Sequence, residues 1–429
     1  MSPRTHRRDF LKASAALAGL VPYALRADDA PKSANDRPRV GCIGNGGMGS
    51  GDARAVSRFG DIVAFCDVDR SHAEKLRDTL KADKAEIYED YRKLLDRKDI
   101  DIVTISTPDH WHTKILIDAC RAGKDAYCQK PMTLTIDEGK QICKVVRDTR
   151  RVVQVGTQQR SEDHNWFLTA VAMVQQGRIG KIKKVICEIG GAPRGGPFPK
   201  TNPPEGLNWD MWLGQAPKVE YIKQRCHGTF RWWYEYSGGK LTDWGAHHVD
   251  IAQWAIGMDH SGPVSVEPVE FTHPQELKDG YPTKDDCYST ATKFLIRCMF
   301  PNGVEMHIRN TENGITFEGE KGTFFVSRRR LTGEPVDELK NNPIPEDVLV
   351  KLRKGKPLSS HMANFIACVN DRSMPVSDVF THHRALTTCH LSNIAMRLGR
   401  TLKWDAESQQ ITGDEEANAW QKREQRKGF

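Results

Sequence analysis

The run Arg39-Val40-Gly41-Cys42-Ile43-Gly44-Asn45-Gly46-Gly47-Met48-Gly49 carries an apolar stretch straight into Gly-x-Gly-x-x-Gly. A second apolar stretch, 62–66, ends in Asp67. In that order the residues describe a dinucleotide pocket: Gly44 permits a tight turn, Gly46 lets the backbone approach a pyrophosphate, and Gly49 lets the following helix lie close to its strand. Asp67 would accept hydrogen bonds from the adenosine ribose hydroxyls. With Asp69 beside it, its charge would repel a 2′-phosphate, which favours NAD over NADP. Two more polar runs follow apolar ones, Thr107-Pro108-Asp109-His110-Trp111-His112 and Cys128-Gln129-Lys130-Pro131. Both fall at the carboxyl ends of expected parallel strands, where a doubly wound sheet binds its ligands. Farther on, Asp243 and His247 are four apart and would share one face if their segment begins a helix.

Those groups need elements to hold them. Strands at 62–66 and 100–107 alternate with helical stretches near 71–80 and 113–122, and 152–156 reads as the last strand of a parallel, doubly wound sheet. The pattern then changes to a helix near 165–176, a strand at 184–189 and a Gly/Pro-rich excursion over 190–239. Beta-type runs follow at 289–300, 304–309, 315–318 and 323–327, implying a second, α+β domain on a mostly antiparallel sheet, closed by helices near 361–369 and 384–398. The fold class is therefore α/β with two domains, a nucleotide-binding unit over 38–158 and a substrate and oligomerisation unit over 159–405. A charged tail, 406–429, is either a surface strap or a loose end.

The first residues hold Arg7-Arg8 before an apolar stretch from 13 to 25 and a small residue at Ala27, a pattern similar to a twin-arginine export signal over 1–27, with a linker over 28–37. It departs from the usual pattern in having His6 before the arginine pair and Leu25 at the outer small position. The apolar part is too short to span a bilayer, so no membrane association is expected once the signal is removed. The expected location is the periplasm. The net charge of +7 falls to +3 when the five basic residues and one acidic residue of 1–27 are removed, which argues against a nucleic-acid partner. The eleven cysteines include no Cys-x-x-Cys pair, and Cys42, Cys66, Cys120 and Cys128 read as small buried residues. His110 and His112, His247 and His248, and His382 and His383 show no familiar ligand spacing, so no metal is expected.

From 39 to 405 the chain resembles the Gfo/Idh/MocA family, the glucose-fructose oxidoreductase and inositol 2-dehydrogenase group. The glycine turn, Thr-Pro-Asp-His-x-His, Lys130-Pro131 and Gly238-Gly239-Lys240-Leu241-Thr242-Asp243-Trp244-Gly245-Ala246-His247-His248-Val249-Asp250 carry the resemblance. It implies that Lys130, Asp243 and His247 are catalytic, with Pro131 after a cis peptide bond and the sheet of the second domain open-faced. The cofactor contacts implied are Gly44, Asn45, Gly46, Gly47, Met48, Gly49, Asp67, Thr107, Pro108, His110, His112, Gln129, Lys130 and Gln158. The substrate contacts are Lys130, Arg231, Trp232, Asp243, His247 and His248. Gln129 departs from the Glu the family usually carries, and lacking that charge Lys130 is expected to lose its proton more easily. Trp209, Trp212, Trp232, Trp233, Trp244 and Trp254 could fill core, line a subunit contact or wall a sugar site, since a pyranose stacks its C–H face on an indole. The reading is an NAD-dependent oxidoreductase acting on a sugar, polyol or glycoside through a tightly held cofactor, forming a homodimer or homotetramer. Two alternatives stay open: a glycoside hydrolase that oxidises its substrate transiently, and a nucleotide-binding protein without catalysis.

Overall fold

The computed structural model describes residues 37–429, so the export-signal reading of 1–27 and nearly all of the 28–37 linker lie outside the described residues. Strands β1 (Arg39–Ile43), β2 (Asp61–Cys66), β3 (Glu86–Tyr88), β4 (Ile102–Ile105), β5 (Asp125–Cys128) and β6 (Val153–Val155) form a wholly parallel sheet in the order β3-β2-β1-β4-β5-β6. The strand order reverses between β1 and β4, and a crevice opens at their carboxyl ends. Side-chain alternation explains the two cores on this sheet: Val40 and Cys42 belong to one cluster, and Ile43 belongs to the other. Helix Asp109–Arg121 starts four residues before the helical stretch read from sequence, so His112 lies in its first turn rather than at its start.

The second sheet has nine strands: β7 (Ile182–Ile189), β8 (Ser265–Thr272), then, after a short hairpin of β9 (Leu277–Lys278) and β10 (Tyr281–Pro282), β11 (Lys293–Met299), β12 (Glu305–Arg309), β13 (Asn313–Gly319), β14 (Gly322–Val326), β15 (Leu331–Thr332), β16 (Leu402–Asp405) and β17 (Gln410–Ile411). Its order is β15-β14-β13-β7-β12-β11-β8-β16-β17, antiparallel except where β12 runs parallel to β7. Helix Gly245–Ala255 packs on β7, and helix Val379–Leu398 packs on β8 and on helix Ile136–Thr149. One expectation fails here. Helix His361–Asp371 does not close the second domain but buries Met362, Phe365, Ile366 and Cys368 against Val40, Phe65 and Ile102 of the parallel sheet. That face needed an apolar cover, which the chain supplies from its far end.

Arg160, just past β6, anchors the start of the second unit, paired with Asp250 of helix Gly245–Ala255 through bonds of 2.6 and 2.8 Å, both side chains buried. The chain past Asp405 ties the two units together: Arg423 donates to Glu138 (2.9 Å) and to the His110 carbonyl (3.0 Å) of the nucleotide-binding unit, and Arg426 to Asp210 and the Gly214 carbonyl of the 190–239 excursion, each at 2.8 Å. All eleven cysteines are buried and unpaired. No helix among the described residues is long and apolar enough to cross a membrane.

Candidate active site

The glycine turn behaves as its residue types require. Gly44 holds φ +81°, and a Cβ there would lie 2.6 Å from backbone atoms of Ser106 and Thr107. A Cβ on Gly49 would lie 1.8 Å from the Gly44 carbonyl oxygen, so only glycine lets helix Gly47–Val56 approach β1 this closely. Asn45 is buried and ties the turn down, its side-chain amide donating to the Cys66 carbonyl at 2.8 Å. Asp67 accepts the Asn45 N–H at 2.7 Å on one oxygen and the Asp69 N–H at 2.9 Å on the other. Each carboxylate oxygen keeps a lone pair for a ribose hydroxyl.

From this turn a cavity of about 650 Å³ runs between the two domains. Gly44, Gly46, Gly47, Met48 and Asp67 line one end. Thr107, Pro108, His112, Gln129 and Gln158 line its middle, and Lys130, Arg231, Asp243 and His247 line the far end. A dinucleotide fits that sequence of groups, and the Thr107 hydroxyl, buried on the wall with no protein partner, is a polar atom waiting for one.

Five of the predicted contacts do not line the cavity: Asn45 and Gly49 shape the glycine turn from behind it, and His110, Trp232 and His248 are turned elsewhere. His110 is buried behind the wall, donating from Nε2 to the Trp212 carbonyl at 3.0 Å and packing between the rings of Trp212 and Tyr236. Trp232 offers its carbonyl to the N–H groups of Ser289 and Thr290 rather than its ring to a ligand site. His248 is fully buried, with Nε2 donating to Asn313 at 3.0 Å and Nδ1 3.3 Å from Gln159. Successive helix positions point about 100° apart, so with His247 on the cavity His248 points into the protein.

At the far end Lys130 Nζ donates to Asp243 Oδ1 at 2.5 Å and to the Asp243 carbonyl at 2.8 Å, and Arg231 Nε reaches the same Oδ1 at 3.3 Å. The Lys130-Pro131 peptide bond is cis. Asp243 and His247 do not share one continuous helix: Lys240–Asp243 ends at Trp244, and Gly245–Ala255 begins there. The Trp244 carbonyl accepts from both His247 and His248 N–H at 3.0 Å, which carries the four-residue spacing across the break. Burial tends to raise the Asp243 carboxyl, but the Lys130 and Arg231 charges outweigh it and hold the group below the usual carboxylate range. Burial, reinforced by the Lys130 and Arg328 charges, holds the His247 imidazole well below its ordinary value, so it is neutral and able to take a proton.

Gln129 is engaged away from the lysine. Its amide turns away from Lys130 and donates to both Asp52 oxygens, at 3.0 and 2.9 Å. Asp52, which also accepts from Ser106 at 2.7 Å, is pushed up to about 6 by burial. Lys130 faces a different carboxylate, that of Asp243.

Sequence reasoning missed two groups on the wall. Asp109 is buried, accepts from Ser237 Oγ at 2.6 Å, and is pushed up to about 7 by burial against the pull of Arg231 and Lys130. It stood in the Thr-Pro-Asp-His run, and its type was the available signal. Arg328 donates to His247 Nε2 at 3.3 Å and lies over the Trp244 ring at 4.7 Å. In sequence it belongs to Arg328-Arg329-Arg330, which reads as a solvated charge run, so nothing local marked it.

Comparison with known proteins agrees with this geometry. A family model described as an oxidoreductase family NAD-binding Rossmann fold (GFO_IDH_MocA) matches residues 38–157, and one described as the C-terminal alpha/beta domain of that oxidoreductase family matches 197–429. The chain is 29% identical over 230 residues to an inositol 2-dehydrogenase of Rhizobium meliloti (strain 1021), covering 53% of this chain and 57% of that one. It is 32% identical over 207 residues to an alpha-N-acetylgalactosaminidase of Shewanella oneidensis, covering 41% and 44%. The match thus spans about half the length of these curated relatives. Among solved structures, the WlbA dehydrogenase from Bordetella pertussis, in complex with NADH and UDP-GlcNAcA, superimposes with a TM-score of 0.60 at 18% identity, covering 86% of this chain and 99% of that one. At that identity the likeness is one of fold.

Proposed function

The chain belongs to the Gfo/Idh/MocA oxidoreductase family, and from that premise we propose that it moves a hydride between a bound nicotinamide dinucleotide and a hydroxyl-bearing carbon of a sugar, polyol or glycoside. The observation that carries the reading is the far end of the cavity, where Lys130, Asp243 and a neutral His247 share a wall that continues to the glycine turn. A carbinol carbon releases hydride only as its hydroxyl proton is withdrawn. Nicotinamide, when bound, supplies the hydride acceptor and donor. His247 takes the hydroxyl proton on Nε2, the long 3.3 Å contact from Arg328 giving way as it does. Lys130, held by Asp243, places positive charge where the oxygen becomes anionic, and Arg231 fixes the carboxylate from its other side. Trp244 and Trp212 supply indole walls on which a pyranose can stack.

Asp67 and Asp69 favour NAD over NADP by charge. The Arg7-Arg8 segment supports export through the twin-arginine pathway to the periplasm, where scarce free nucleotide would favour a cofactor carried out tightly bound. Val264, Val269 and Phe271, 47%, 50% and 36% exposed on and just before β8, give a homodimer or homotetramer an apolar edge to cover.

A second reading has its own observation. Simple dehydrogenation needs one base, yet the cavity also holds Asp109, a carboxyl that keeps its proton up to about pH 7. A redox-neutral glycosidase would use such an acid to protonate the departing aglycone, between oxidation of a neighbouring sugar carbon and return of the hydride after water adds. Incubating the protein with free sugars, polyols and aryl glycosides, with and without added NAD, separates the readings. Sustained formation of reduced nicotinamide marks the dehydrogenase, and aglycone release without net redox change marks the glycosidase. His247→Ala is expected to lose about 10²–10⁴-fold in kcat while binding nucleotide normally. If neither substitution of His247 nor Lys130→Ala alters any ligand-dependent behaviour, the protein is a binder without catalysis and the proposal is wrong.

A further inference from the structure

At the other end of the cavity, two histidines 155 positions apart in the chain converge on one carboxylate. Asp69 caps helix Arg70–Thr79 with Oδ1, which accepts from the Ser71 N–H at 3.2 Å and the Ser71 hydroxyl at 2.6 Å. Its Oδ2 is left facing His227 Nε2 at 3.4 Å and His72 Nε2 at 3.8 Å. One ligating atom from each of the three residues lies within 4.8 Å of the others. Separations of 3.4 and 3.8 Å are too long for hydrogen bonds. They suit donor atoms around a shared ion: ligands about 2.0–2.1 Å from a tetrahedral zinc stand about 3.3 Å apart.

We propose that Asp69, His72 and His227 form a binding site for a divalent transition-metal ion of the zinc class, joining the 190–239 excursion to the nucleotide-binding domain. The surroundings carry the features such a site needs. His72 Nδ1 lies 3.6 Å from Asp67 Oδ2, a carboxylate placed to orient the ring once Nε2 ligates. His227 holds a φ of +50°, a left-handed conformation unusual for a residue with a side chain, at the start of the turn His227–Trp232. The two backbones are already joined beside it, Arg70 N–H donating to the Gly206 carbonyl at 3.1 Å and Asn208 N–H to the Val68 carbonyl at 2.9 Å. The ion would be a third tie at the same seam. With three protein ligands, its fourth position is left to water or to a hydroxyl of whatever occupies the cavity beside Asp67.

The three histidine pairs visible in the sequence, His110 and His112, His247 and His248, and His382 and His383, contribute nothing to this site. His382 and His383 lie in helix Val379–Leu398, where His383 donates to Gln409 at 2.7 Å. Linear spacing therefore gave no warning of a cluster that only the closure of the excursion assembles.

The test uses the full chain, stripped with a chelator and titrated with Zn²⁺ against a chromogenic competitor, without nucleotide, so that it stands or falls apart from the hydride-transfer reading. The expected result is roughly one equivalent bound at submicromolar Kd, with a matching rise in Tm. His227→Ala and Asp69→Asn should weaken binding by more than about 100-fold and abolish the Tm rise, and Asp67→Asn should weaken it by about tenfold. Metal-free Tm values equal to the parent's show that the variants fold, and His227→Gln replaces any that does not. Weak, non-stoichiometric binding by the parent, or parent-like affinity in His227→Gln, overturns the proposal.

Discussion

Asp109 and His247 are both buried on one wall and are shifted in opposite directions from opposite starting charges, each towards its neutral form. That pairing sets out an acid and a base together near neutral pH. For Asp109 the folded value, about 7, lies above the ordinary carboxyl value of 3.8. Its protonation therefore stabilises the fold fully below pH 4, and that contribution is lost as pH rises through 7. Asp109→Asn keeps a polar partner for Ser237 but cannot ionise. Denaturation measured at pH 5 and pH 8.5 should show the parent losing on the order of 1–4 kcal/mol of stability that the variant retains. The same substitution should remove an inflection near pH 7 from the pH–rate profile. At this scale Lys130, Asp243 and His247 were legible because a short motif carried each. Arg328, His72 and His227 were not, because chain closure alone gives them their neighbours.

The elements follow their residues closely where local sequence dictates them. The glycine turn is the clearest case, and two glycines two residues apart make opposite forecasts. Gly46→Ala aside, a Cβ on Gly47 meets nothing within 4 Å, so Gly47→Ala should leave the fold as stable as the parent or up to about 1 kcal/mol more stable, since alanine is the better helix former. Gly49 is one turn face away with a backbone oxygen at 1.8 Å from its would-be Cβ, and Gly49→Ala must push the helix off its strand. Equilibrium denaturation and NADH fluorescence titration should show loss of both stability and nucleotide binding in Gly49→Ala alone. The parallel strands were readable as apolar runs between turn signals, except β3, whose three residues Glu86–Tyr88 make no such run. Strand β8 was not, because it carries Glu267, Pro268 and Glu270 on a half-exposed edge of the pattern, and the break at Trp244 was not, because a single glycine, Gly245, is tolerated within a helical pattern.

The molecule as a whole depends on segments returning from far along the chain. Helix His361–Asp371 covers the parallel sheet, and the tail reaches Glu138, Asp210 and the edge of Trp111 through Arg423, Arg426 and Phe429. Two domains could be read from length and pattern, but this exchange between them could not, since amphipathic character says that a face will be covered and not by what. The buried Arg160–Asp250 pair anchors the chain just past the parallel sheet to helix Gly245–Ala255. Asp250→Asn leaves the guanidinium without its counter-charge, stacked on Trp254 at 4.6 Å, and should cost about 3–5 kcal/mol in urea denaturation. A cost below about 1 kcal/mol would mean that this segment is held elsewhere.

The central claim is that one cavity holds a nicotinamide ring against Lys130, Asp243 and His247. A crystal structure of the protein with NADH tests it most directly. The account predicts the adenosine ribose on Asp67, the pyrophosphate on the Gly44–Gly49 turn, and the nicotinamide C4 open towards Lys130 and His247, leaving room for a substrate carbon about 3–3.5 Å away. A nucleotide bound with its nicotinamide turned away from those residues, or saturating NADH that leaves the cavity without nucleotide, would contradict it.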